Sequence, residues 1–100
     1  MVGLEKDEKM IIKLSKEYEY EGKKYISFDL SGLENITSAE MIKAENAVKR
    51  NNRAEVLPEM TLEYACYIAH YVTDMPIEFF MQLNVKDAVK VKTAIQGFLY

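Results

Sequence analysis

Two segments in which apolar and polar residues alternate lie on either side of Gly22, and they constrain the fold more than any other feature of the chain. Successive side chains of a β-strand point to opposite faces, so a period of two residues predicts a strand. Two such segments around a glycine predict a β-hairpin. A lone hairpin is only marginally stable, so its apolar face needs helices to cover it. The apolar set is Ile12, Leu14 and Tyr18 in the first strand and Ile26, Phe28 and Leu30 in the second.

The sequence predicts a three-residue loop of Tyr20, Glu21 and Gly22 between these strands. A two-residue loop would pair Tyr18 with Tyr25 and would place the apolar sets of the two strands on opposite faces. The longer loop brings both sets to one face and gives Gly22 the left-handed position that such loops favour. The predicted pairs are Leu14 with Phe28, Ile12 with Leu30, Lys13 with Asp29, and Glu19 with Lys23.

Four helices are predicted after the hairpin. Thr37 and Glu40 have the spacing of a capping box, and Thr61 and Asn84 are N-cap candidates for two later helices. Pro76 suits the first position of a short helix between them. The predicted helices run from 37 to about 51, from 61 to about 72, from 77 to 83, and from 85 to near the C-terminus. A hairpin followed by four helices predicts an α+β, mostly helical single domain.

Length and charge exclude several classes of protein. The chain has 100 residues, and 13 basic against 16 acidic side chains give a formal charge of −3. This length suits one domain and excludes folds as large as a βα barrel. The acidic balance is opposite to that of proteins that bind the nucleic-acid backbone, so no nucleic-acid partner is expected. We expect residues 1–9, which are charged and non-periodic, to be a flexible lead-in, and residues 10–100 to form the domain.

Cysteine content and hydropathy predict a cytoplasmic protein. Cys66 is the single cysteine, so an intramolecular disulfide is excluded. The first residues mix both charge signs and lack the apolar segment of a signal peptide. No apolar run approaches the roughly 20 residues that span a membrane, so no membrane partner is expected either.

One face of the second predicted helix carries Glu63, Cys66 and His70, at spacings of three and four residues. Cys66 and His70 could ligate a metal together or act as a nucleophile and its base. A structural zinc normally needs four ligands, and the chain has no other His or Cys. A Gly-rich turn that could stabilise an oxyanion is also missing nearby. We therefore expect no enzyme, no metal and no cofactor, and keep a small Cys–His enzyme as an alternative.

The third predicted helix is apolar on two sides. Ile77, Phe80 and Met81 occupy one side, and Phe79 and Leu83 occupy the other. A two-turn helix in a domain of this size cannot usually bury both sides, so one side is predicted to contact a partner or a second copy of the chain. The predicted partner-binding residues are Ile77, Phe79, Phe80 and Met81.

The order of these elements resembles the small tail assembly chaperones of long-tailed bacteriophages and prophages, above all the Mu-like and P2-like group. The shared elements are a charged strand with a glycine turn, a helix around Ala44 and Glu45, and the Leu-Glu-Tyr-Ala sequence of residues 62–65. A helix led by Pro76 and a terminal helix that ends in Phe98 and Leu99 follow. The resemblance covers about residues 10–100.

This resemblance implies an assembly protein and no catalysis. Such chaperones bind the long, largely helical tape measure protein in the host cytoplasm and keep it soluble. They help to recruit tail tube subunits and leave before the tail is finished. The family has no motif that assigns individual contact residues, and self-association of this chain stays open.

A helix-turn-helix regulator of transcription is the other alternative, with the second and third predicted helices as the pair. Its second helix would lie in the major groove of DNA. Against this alternative, the third helix is apolar, whereas a recognition helix carries Arg, Asn and Gln side chains for contacts with base edges.

Overall fold

The computed structural model describes residues 10–54 and 56–100, and over these residues it confirms the α+β fold of a hairpin followed by four helices. The expected lead-in, residues 1–9, lies outside the described residues. Among the helices described, none is long and apolar enough to cross a membrane. The elements are β1 (Ile11–Tyr20), β2 (Lys23–Asp29), α1 (Ser38–Asn51), α2 (Leu62–Thr73), α3 (Ile77–Met81) and α4 (Val85–Leu99), with short 3-10 turns at Ser31–Asn35 and Pro58–Met60.

The predicted N-terminal caps are confirmed. The Thr37 hydroxyl oxygen accepts a hydrogen bond from the backbone N–H of Glu40, and the Glu40 carboxylate accepts one from the backbone N–H of Thr37. Thr61 and Asn84 cap α2 and α4, because each side-chain oxygen accepts a bond from the backbone N–H three residues further on. These bonds satisfy donors that a helix leaves unpaired at its start, so the positions of the helix starts follow from local sequence.

The predicted three-residue loop is wrong. Tyr20 pairs with Lys23, and Tyr18 pairs with Tyr25, so Glu21 and Gly22 alone connect the strands. Both connecting residues have positive φ, 50° and 81°. A type I′ turn requires this conformation, and its twist matches the twist of a hairpin better than other turns do. None of the predicted pairs, Leu14 with Phe28, Ile12 with Leu30, Lys13 with Asp29 and Glu19 with Lys23, is present.

A bulge in β1 resolves the conflict of faces that had favoured the longer loop. The register shifts between Lys13 and Tyr18, so residues 14–17 lie opposite Ile26 alone. Beyond the shift Ile12 pairs with Phe28, which brings these two apolar side chains to the same face. A bulge bends the strand and redirects its side chains. Ile26, predicted to be in the apolar set, lies opposite the bulge and is 65% exposed.

The hairpin packs around one side chain of α3. The Phe79 ring lies edge-on to four rings of the hairpin, with centroid distances of 5.1 to 6.3 Å. Edge-to-face contacts of this kind add about 0.5–1.5 kcal/mol each beyond the burial of area. The four hairpin rings belong to Tyr18, Tyr20, Tyr25 and Phe28.

A buried carboxylate connects the bulge of β1 to the first turn of α4. Asp87 is fully buried, and its Oδ2 accepts hydrogen bonds from the Tyr18 hydroxyl at 2.7 Å and from the Ser15 hydroxyl at 2.9 Å. Its Oδ1 accepts a third bond from the backbone N–H of Ser15 at 2.8 Å. The Tyr18 hydroxyl in turn accepts a bond from the backbone N–H of Asn84. Lys90 completes the connection, since its Nζ donates to the backbone oxygen of Lys13 and lies 4.0 Å from Asp87.

These contacts keep Asp87 ionised. Burial by itself would raise the pKa of this carboxyl. The hydrogen bonds from Tyr18 and Ser15 and the charge of Lys90 outweigh burial, so the pKa lies below its ordinary value of 3.8. A carboxylate that is stabilised in the folded state makes stability depend on pH.

We predict that Asp87→Asn lowers the free energy of unfolding by about 2 kcal/mol at pH 7, because an amide cannot accept all the bonds that the carboxylate accepts. The pKa is depressed in the folded state, so the contribution of Asp87 is complete above the unfolded pKa of about 4 and is lost as the pH falls through the folded value. The difference between the wild type and the variant should therefore shrink below about pH 4. Urea unfolding at several pH values measures this, with Glu34→Gln, at an exposed position, as the control. A difference that does not change with pH would contradict it.

Two glycines should respond oppositely to alanine. A Cβ added at Gly32 would lie 2.7 Å from the backbone oxygen of Val72, so the turn at Ser31–Asn35 could not approach the end of α2. Gly32→Ala is expected to cost about 1–3 kcal/mol. A Cβ at Gly97, in α4, would meet nothing within 4 Å, so Gly97→Ala should stabilise by up to about 1 kcal/mol through helix propensity. Urea unfolding measures both changes. If the two variants changed the free energy of unfolding equally, a clash with the backbone oxygen of Val72 would not be what determines the effect at Gly32.

Candidate functional site

The structure separates the predicted partner-binding residues of α3 into two groups. Phe79 and Phe80 lie in the core, at 0% and 1% exposure, so the expectation that they form a surface is wrong for this chain. The reason is that the hairpin covers α3 on one side, while Phe80 packs against Phe28 and contributes to the same core. Ile77 is half-buried, and Met81 is 49% exposed. α3 is also shorter than predicted, and Pro76 precedes it as the N-cap residue.

Met81 lies at the edge of a groove formed by α2, α3 and the start of α4. The groove has a volume of about 370 Å³. This is near the lower end for ligand sites, which are commonly 300–1,000 Å³, and it suits one or two large apolar side chains. One lining residue, Glu63, is charged, and the others are apolar or sulfur-containing. The lining consists of Leu62, Glu63, Cys66, Phe80, Met81, Leu83 and Ala88.

Large apolar side chains remain exposed along this groove. Leu62, the first residue of α2, is 39% exposed, and Met81 is 49% exposed. Clustered apolar exposure marks interaction surfaces in monomeric domains more often than scattered single residues do. The groove therefore has both an apolar floor and apolar edges that a partner could cover.

Local caps and the buried carboxylate position the walls of the groove. The Thr61 cap starts α2 so that Leu62 stands at its first turn, where the helix no longer packs on all sides. The Asn84 cap and the bonds to Asp87 hold the first turn of α4, and Ala88 of that helix lines the groove. The position of Leu62 on the apolar side of the second helix predicts a core residue, which is wrong, and its place in the first turn was a signal that could have shown its exposure.

The Cys66 thiol lies at the floor of the groove and is not activated. It is 4% exposed, and its Sγ donates a weak hydrogen bond to the backbone oxygen of Phe80 at 3.9 Å. Burial, helped by the charge of Glu63, raises the pKa of Cys66 to about 11. A thiol of this kind is protonated near neutral pH, whereas a nucleophilic cysteine needs a lowered pKa.

His70, the other member of the candidate pair, is occupied elsewhere. Its Nδ1 lies 2.6 Å from the backbone oxygen of Met75, so this nitrogen donates to a carbonyl. Over residues 10–54 and 56–100, no group of three or more His, Cys, Asp or Glu side chains is arranged to hold a metal ion. The geometry thus gives no support to the Cys–His enzyme.

The helix-turn-helix alternative is also weakened by the geometry of α3. This helix has five residues, and Phe79 and Phe80 are in the core. Its exposed side chains are Glu78 and Met81. A carboxylate there would be repelled by the DNA backbone, and the helix is too short to place several side chains on base edges.

Comparisons with known proteins add no family to this geometry. No family model matches the chain, and comparisons with curated proteins and with solved structures each found no match. The resemblance to tail assembly chaperones therefore depends on the order of sequence elements alone. No relative assigns a role to the residues that line the groove.

We predict that Cys66 reacts slowly with thiol reagents. A pKa of about 11 instead of about 8.5 leaves on the order of a hundredfold less thiolate at pH 8. Alkylation by iodoacetamide should accordingly be about a hundredfold slower in the folded protein than in the same protein in urea. A folded-state rate close to the rate in urea would show an accessible, ionised thiol and would revive the enzyme alternative.

Proposed function

We propose that this protein is a phage tail assembly chaperone that binds the tape measure protein and helps to recruit tail tube subunits. The observation that supports it best is the apolar groove with Leu62 and Met81 exposed at its edges. A tape measure protein is a long helical chain with apolar stripes, and an amphipathic helix binds by laying its apolar face in such a groove. The order of sequence elements supports the same function independently of the groove.

The expected affinity of the groove for a helix suits a chaperone that dissociates from its partner before the tail is finished. Full burial of one large apolar side chain contributes about 1.5–3 kcal/mol, and a groove of about 370 Å³ accepts only one or two of them. Association also costs several kcal/mol of lost freedom. A single groove of this kind therefore binds a helix reversibly. A long helical partner would be covered by several copies of the chain.

The groove is tested by acidic substitutions at its exposed edges. We predict that Leu62→Glu and Met81→Glu each reduce co-purification of the tape measure candidate by about tenfold or more, because an acidic group must be desolvated in an apolar contact. The candidate is the long, coiled-coil-rich reading frame just downstream of the gene, expressed together with this chain. Its soluble fraction after lysis is the second measurement. Phe79 and Phe80 are unsuitable test positions, since substitutions in the core would unfold the domain.

Ile26→Glu is the matched control for these variants. Ile26 is also exposed and apolar, but it lies on β2 and does not line the groove. Co-purification should survive this change. Equal co-purification with Leu62→Glu, Met81→Glu and the wild type would contradict the role of the groove. A downstream partner that stays insoluble and unbound would contradict the chaperone function itself, and salt-sensitive DNA binding by this chain would then favour the regulator.

A further inference from the structure

The end of α1 and the turn that follows it carry a cluster of positive charge in a chain that is acidic as a whole. Asn46, Lys49 and Arg50 lie in the last two turns of α1, Arg53 lies in the turn just beyond its end, and all four line an open concavity of about 710 Å³. All four side chains are exposed. The face is opposite in character to the buried face of the same helix, which carries Ala44, Ala47 and Val48. We call these four residues the basic face.

The cations of the basic face have no ionic partner in the part of the chain that the structure describes. There the ion pair within 4.0 Å is that of Lys90 with Asp87, which involves none of these residues. Arg50 lies near the phenol of Tyr71 on α2, which is neutral at physiological pH. The nearby carboxylate of Glu63 accepts a hydrogen bond from Asn51 instead. The exposed side chains of the basic face present their donors to solvent.

We propose that the basic face binds an acidic segment of a partner protein. Two guanidinium groups and an ammonium group provide forked and single donors for carboxylates, and the Asn46 amide adds a neutral donor. Arginine in particular matches the planar geometry of a carboxylate. Three cations neutralise three carboxylates, which is the charge of a short acidic segment.

A protein segment fits this face better than a nucleic acid does. The formal charge of the whole chain is −3, so a long polyanion is repelled by the rest of the molecule. Stable binding of a nucleic-acid backbone commonly uses six or more phosphate contacts, of the order of twice what this face offers. The proposal does not depend on the chaperone function, because the groove is formed by α2, α3 and α4, whereas the basic face lies on and just beyond α1.

The test uses a defined probe, a fluorescein-labelled ten-residue peptide of alternating glutamate and alanine, and measures fluorescence anisotropy at low ionic strength. The wild type should bind the peptide, and added salt should weaken binding, since exposed charges are screened. The triple variant Lys49→Glu, Arg50→Glu and Arg53→Glu should lose binding by about tenfold or more.

Three controls distinguish peptide binding by the basic face from effects of net charge and of unfolding. Lys23→Glu, Lys24→Glu and Lys86→Glu together make the same change in net charge at exposed positions elsewhere, and this variant should bind within about threefold of the wild type. Circular dichroism checks that both variants remain folded, since basic residues at the end of α1 also favour the helix dipole. The double variant Arg50→Lys with Arg53→Lys keeps the charge but removes the paired N–H donors of the guanidinium groups. It should weaken binding by a few fold.

Each possible result decides the proposal. No binding by the wild type, or an equal loss in the two triple variants, would overturn it, because net charge alone would then explain the data. Tighter binding of a ten-nucleotide single-stranded DNA than of the peptide would also overturn it and would indicate a nucleic-acid partner. Met81→Glu should leave peptide binding unchanged, so failure of the groove and failure of the basic face can be told apart.

Discussion

The carboxylate of Asp87 connects the two parts of the fold, because it lies in the first turn of α4 and accepts three hydrogen bonds from β1. A buried, ionised carboxylate is stable only when such donors surround it. The donors come from Ser15, within the bulge of the strand, and from Tyr18, the first paired residue after it. The bulge therefore interrupts the pairing of the two strands and also turns the backbone N–H and the hydroxyl of Ser15 toward α4.

The packing of the hairpin against the helices follows from this anchor. With the bulge held at α4, the apolar side of the hairpin closes over Phe79, which contacts four hairpin rings. Closing this side uses the two phenylalanines of α3 for the core and leaves Met81 at the surface beside Leu62. The candidate groove is thus what remains of an apolar helix after the hairpin has covered most of it.

The two proposed contact surfaces differ in chemistry and in position. The groove offers apolar area, which provides affinity without much direction, whereas the basic face of α1 offers charge-assisted hydrogen bonds, which favour orientation and fast encounter. A long helical partner with an apolar stripe and acidic residues could contact both. The two surfaces share no lining residue, so each can be tested by its own substitutions.

Local sequence determined the hairpin, the four helices and their caps, because a cap such as that of Thr37 and Glu40 joins atoms three residues apart. The order of elements was likewise readable from periodicity alone. Only the tertiary structure decided the strand register, the burial of Phe79 and Phe80, and the protonated state of Cys66. Each depends on groups far apart in the chain, as in the bond between Ser15 and Asp87, and a period of two residues does not reveal a bulge that a distant carboxylate stabilises.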